Sequence, residues 1–119
     1  MIMTAVVRLA DHRRKAPYQH FNRPELNLLL ALYASRVSRG EWRDYAIHMG
    51  ADAARFMIFR HSHEHPLFVI SKLAPGKTRG KNNRQRPYMV TSRHHRVAQG
   101  NTLADVLVVF DRPIRLVSG

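Results

Sequence analysis

The chain has 119 residues, enough for one domain with a buried core and too few for two independent ones. It contains no cysteine, which excludes disulfides, thiolate metal sites and thiol nucleophiles, and its 45% hydrophobic share is that of an ordinary globular protein. Twenty lysines and arginines against eight acidic residues leave a formal charge of +12, a surplus that favours polyanionic partners because neutralising phosphates releases condensed counterions.

Residues 1–20 read as a basic, partly disordered arm in which Arg13, Arg14 and Lys15 are adjacent and Pro17 closes the run. The apolar start is interrupted by Arg8, Asp11 and Arg13 before it reaches spanning length, and no basic region precedes it. It is therefore read as neither a leader nor a membrane segment, and a cytoplasmic location without membrane contact is expected.

Residues 21–119 are expected to form a single α+β domain. Asn22 is an N-cap, Pro24 lies in the first turn, Glu25 stands three residues after the cap, and Phe21 faces Leu26 as a hydrophobic staple. The helix that starts there carries Leu26, Leu29, Leu30, Tyr33 and Val37 on one stripe and stops at Gly40. From Arg43 the period changes to two, with Tyr45, Ile47 and Met49 alternating against Asp44, Ala46 and His48, which predicts a strand. The runs 55–60 and 67–70 are rich in β-formers and predict two more strands in an antiparallel meander.

Residues 74–87 carry Pro, Gly and clustered cations without periodicity, so they read as a long basic loop leading to a fourth strand over 88–93. A further extended piece at 95–98 is only weakly signalled. Thr102 and Asp105 form a second capping box, Leu103, Val106, Leu107 and Phe110 line one face of a short second helix, and Pro113 ends it. Residues 114–117 read as a C-terminal edge strand. The expected architecture is an N-terminal helix, a meander of about four strands, a short second helix and an edge strand, with both helices on one sheet face. The expected core contains Leu29, Leu30, Tyr33, Trp42, Ile47, Phe56, Ile58, Val69, Leu107 and Phe110.

The run Gly40-Glu41-Trp42-Arg43-Asp44-Tyr45-Ala46-Ile47, the Phe59-Arg60 strand end, Pro66-Leu67-Phe68 and the Leu103 to Phe110 helix resemble an uncharacterised family of small basic alphaproteobacterial proteins, a domain of unknown function. The resemblance covers Phe21 to Val117 and implies a cytoplasmic bacterial protein. It implies no activity.

Among the residues that could carry chemistry, His61, His63 and His65 alternate in a way that would project three imidazoles to one side, as a borderline metal requires. They fall in a loop between strands, without partners to orient ligating rings, so a solvated loop is the preferred reading and no metal or other cofactor is expected. His94 and His95 are read as surface residues. The carboxylates are scarce and engaged in caps, and no glycine-rich phosphate loop or nucleophile elbow occurs, so the protein is not expected to be an enzyme.

Lys77, Arg79, Lys81, Arg84 and Arg86 lie within ten residues in the unpatterned loop, with Arg13, Arg14, Lys15, Arg93 and Arg96 adding to them elsewhere. Together they suggest a phosphate-contacting arm for RNA or DNA, read through backbone or shape because no aromatic signature of base stacking is present. The alternative partner is an acidic protein, for which the chain would be an interaction or assembly factor.

Overall fold

The two capping boxes and the two-residue alternation are realised in the computed structural model, which describes residues 18–61, 65–75 and 86–111. The elements in order are α1 (Arg23–Ser38), β1 (Asp44–Met49), β2 (Ala53–Phe59), β3 (Phe68–Leu73), β4 (Tyr88–Ser92), β5 (His95–Gly100) and α2 (Leu103–Leu107), which runs into a 3-10 turn over Val108–Phe110. The strands form one sheet in the order β1-β2-β3-β4-β5, and every neighbouring pair is antiparallel.

Local chemistry explains where the helices begin. The Asn22 side chain accepts from the Glu25 backbone N–H at 2.9 Å while the Glu25 carboxylate accepts from the Asn22 N–H at 2.8 Å. Thr102 and Asp105 repeat the arrangement before α2, at 3.1 and 3.2 Å. Each box satisfies two backbone donors that a helix start leaves without partners. After α1 the chain turns at Gly40, whose φ of +78° is accessible to glycine at little cost.

Antiparallel register places Ile47, Phe56, Ile70, Val90 and Ala98 in one row across all five strands. Phe56, Ile70 and Val90 are fully buried, and Leu29 of α1 and Val106 of α2 close over them. Tyr33 of α1 meets Tyr45 edge-on at 4.8 Å, and Phe110 meets Phe68 at 5.0 Å and Trp42 at 5.5 Å, also edge-on. Edge-to-face contact is the favourable geometry for aromatic quadrupoles. Both helices thus cover the same face of the sheet, as expected.

Two expectations need revision. The sheet has five strands rather than about four, because the weakly signalled piece at 95–98 is a complete strand, His95–Gly100. Arg93 and His94 hold positive φ values of 51° and 74°, the backbone of a type I′ two-residue hairpin, without the Asn-Gly that usually announces it. Leu30 is exposed, not core. The buried side of α1 is centred on Glu25, Leu29, Leu32 and Arg36, which turns Leu30 and Val37 towards solvent. Of the other expected core residues, Leu29, Trp42, Phe56, Ile58 and Phe110 are buried and Tyr33, Ile47, Val69 and Leu107 are half-buried. The strand expected at 114–117, the arm at 1–17 and the interior of the basic loop, residues 76–85, lie outside the described residues.

Candidate functional site

The two ends of the sheet differ in chemistry. At one end, where β3 leads into the basic loop and β4 returns from it, a buried carboxylate ties α1 to the sheet. Glu25 is 8% exposed and accepts from Lys72 Nζ at 2.8 Å and from the Tyr88 hydroxyl. Lys72 also donates to the His20 carbonyl at 3.0 Å. Burial alone would raise the Glu25 pKa, but hydrogen bonds from Lys72, Tyr88 and the Asn22 backbone, with the Lys72 charge, outweigh it and hold the carboxyl below its usual range. Burial, then the hydrogen bond to Glu25 and its negative charge, push the Tyr88 phenol above its usual range. Every oxygen of this carboxylate has a donor, which makes the cluster a structural tie rather than a general acid or base.

At the opposite end, the close of β2, the entry to β3 and the β4–β5 turn converge. Arg60, His61, His65, Leu67, Arg93 and His94 line an open groove of about 440 Å³. Adjacent antiparallel strands bring them together: Ile58 pairs with Phe68 and Val69 with Thr91, so 60–61, 65–67 and 93–94 emerge side by side. Backbone ties fix the walls, with Leu67 N–H donating to the Ile58 carbonyl at 2.7 Å and Ser92 Oγ donating to the Leu67 carbonyl at 3.0 Å. Among the described residues the lining consists of two arginines, three histidines and a leucine, with no carboxylate. Non-glycine residues in the left-handed region cost roughly 1 kcal/mol or more each, so Arg93 and His94 hold their side chains at this rim against a backbone penalty.

The three described cations among those singled out in the sequence, Arg86, Arg93 and Arg96, do not form one patch. Arg86 stands where the basic loop enters β4, and its carbonyl accepts from Gln99 Nε2 at 3.3 Å. Arg93 lies at the other end of β4, seven residues away and so roughly 20 Å distant along the strand. Arg96 is exposed on β5, with its guanidinium donating to Gln99 Oε1 at 3.3 Å. Lys77, Arg79, Lys81, Arg84, Arg13, Arg14 and Lys15 lie outside the described residues. Sequence reading missed Arg60, His61, His65 and His94 as partners of Arg93. Their adjacency is tertiary, and the only local hint was the density of histidines on either side of two strands.

His61 and His65 share the groove, whereas His63 lies outside the described residues. Among the described residues no group of three or more His, Asp or Glu side chains is arranged to hold a metal ion. The described carboxylates are largely engaged: Glu41 pairs with Arg36 at 3.2 Å and Arg39 at 3.5 Å, Asp52 with Arg55 at 3.2 Å, and Asp44 and Asp105 accept backbone N–H groups. Among the described residues, Arg60, Arg86, Arg93 and Arg96 have no carboxylate within salt-bridge distance. No described helix is long and apolar enough to cross a membrane.

A family model described as a protein of unknown function, DUF2794, matches residues 19–107, from the segment that precedes α1 to the end of α2. No curated protein and no solved structure matches the chain.

Proposed function

The chain belongs to the DUF2794 family, and we propose that it is a non-enzymatic, cytoplasmic bacterial binding protein whose basic residues contact nucleic acid or a ribonucleoprotein surface. The observation that carries this reading is how the charge is distributed. Among the described residues, Glu25, Glu41, Asp44, Asp52 and Asp105 are spent on backbone N–H groups and internal ion pairs, while Arg60, Arg86, Arg93 and Arg96 at the ends and edge of the sheet have no acidic partner. A surplus of +12 that is not neutralised within the fold is available to a polyanion. The basic loop, with Lys77, Arg79, Lys81 and Arg84 preceding Arg86, extends the same character.

The non-enzymatic part of the proposal rests on the same accounting. Glu25, the most buried of the described carboxylates, is saturated by donors, and among the described residues the groove at the other end has basic groups without a carboxylate to act beside them. Nucleic-acid contact predicts that protein purified at low salt carries nucleic acid, seen as an elevated ultraviolet absorbance ratio that a high-salt wash lowers. A ratio that is that of pure protein from the outset, with no binding to added RNA or DNA at low salt, would favour an acidic protein partner instead.

A further inference from the structure

We infer that the groove lined by Arg60, His61, His65, Leu67, Arg93 and His94 is a discrete site for a phosphomonoester, the doubly charged terminal phosphate of a nucleotide or of a nucleic-acid end. The inference deepens the anion-binding reading above and rests on it for the sign of the ligand's charge. Arg60 and His61 come from the end of β2, His65 and Leu67 from the approach to β3, and Arg93 and His94 from the β4–β5 turn. Three separate backbone segments therefore converge on one concave spot, which a merely solvated basic surface does not require.

Donor arithmetic selects the ligand. A guanidinium presents five N–H donors in a planar fork and can grip two oxygens of one phosphate at once. Two such forks and three imidazoles exceed what an internal phosphodiester can use with its two free oxygens. A monoester offers three oxygens and about two negative charges. The volume of about 440 Å³ holds a phosphate together with part of the group it esterifies, and lies within the ordinary size of small-ligand sites. Leu67 is an apolar residue among the described lining.

The turn adds an independent observation. Positions with φ of 51° and 74° favour glycine or asparagine, yet they hold Arg93 and His94, and both residues line the groove. A residue kept in a conformation it disfavours, at the rim of a cavity its own side chain completes, is the pattern of a binding residue selected over a turn former.

Inorganic phosphate titrated into the full chain, exchanged against chloride at constant ionic strength and followed by amide NMR, tests the site. The expected result is a saturable, single-site change centred on Arg60, His61, Leu67, Arg93 and His94. Arg93→Gly should raise the melting temperature, because glycine relieves the left-handed strain, while weakening phosphate binding on the order of tenfold or more. Arg60→Gln, which leaves the turn untouched, should weaken it similarly. Shifts that grow without saturating, or unchanged affinity in both variants, would overturn the proposal.

Oligonucleotides of one sequence with a 5′-phosphate or a 5′-hydroxyl end identify the source, with a nucleoside monophosphate alongside. Preference for the phosphorylated oligonucleotide assigns the site to nucleic-acid ends, and equal binding of the mononucleotide assigns it to free phosphomonoesters. Equal competition by the 5′-hydroxyl oligonucleotide contradicts monoester recognition. Substituting the basic loop should leave phosphate affinity unchanged, so failure of the groove and failure of the wider nucleic-acid reading are separable.

Discussion

Glu25 in the first turn of α1 accepts a hydrogen bond at 2.8 Å from Lys72 on β3, 47 residues further along the chain, and this pair sets which side of the helix faces the sheet. The same carboxylate completes the capping box, so one side chain fixes both where α1 begins and how it is rotated. Removing it leaves Lys72 without its anion and the Asn22 N–H without its acceptor. Glu25→Ala is expected to cost about 3 kcal/mol, within the range for breaking a largely buried pair, as measured by denaturant unfolding. A loss below about 0.5 kcal/mol, the range of ordinary surface substitutions, would show that the tie contributes nothing.

The pH dependence follows from the direction of the two shifts. Because the Glu25 carboxyl is held below its unfolded value of about 4.3, its stabilisation is present above that pH and is lost as pH falls through the folded pKa. Tyr88 is shifted the other way, so its contribution is present below the unfolded phenol value of about 10 and is lost as pH rises beyond it. Melting temperature measured across pH should therefore fall at both extremes, and Glu25→Gln should flatten the acid limb. An acid limb identical in wild type and Glu25→Gln would assign acid sensitivity to other groups.

Adjacent leucines on α1 should behave oppositely. Leu29 is fully buried and Leu30 is 38% exposed. Leu29→Ala should cost about 2–5 kcal/mol and Leu30→Ala within about 0.5 kcal/mol of nothing, both by chemical denaturation. Equal losses would mean that the helix is rotated from the orientation described.

This contrast also marks where sequence reading stops. Leucines at 26, 28, 29, 30 and 32 surround the helix, so periodicity alone does not choose a face; the Lys72 and Tyr88 contacts to Glu25 make that choice, and they lie far away in sequence. The caps at Asn22 and Thr102 were legible because their partners are three residues away. β5 was faint because Arg93-His94 adopts a hairpin backbone without a turn-forming residue to signal it. The groove was hinted at only by the density of histidines: Arg60 and Arg93 belong to different hairpins, and the pairing of β2, β3 and β4 brings them to one rim.

The central claim, that exposed cations bind nucleic-acid phosphates, is tested most directly by a salt titration of the full chain against one duplex and one single strand of arbitrary sequence. Wild type is compared with a variant in which Lys77, Arg79, Lys81, Arg84 and Arg86 are changed together to glutamine. Log affinity should fall linearly with log salt, and the slope of the variant should be shallower by about one for each phosphate contact removed. Its melting temperature should be unchanged, since surface substitutions away from packed features have little effect. Absence of wild-type binding even at low salt would contradict the claim, and equal slopes for the two proteins would remove the basic loop from the interface.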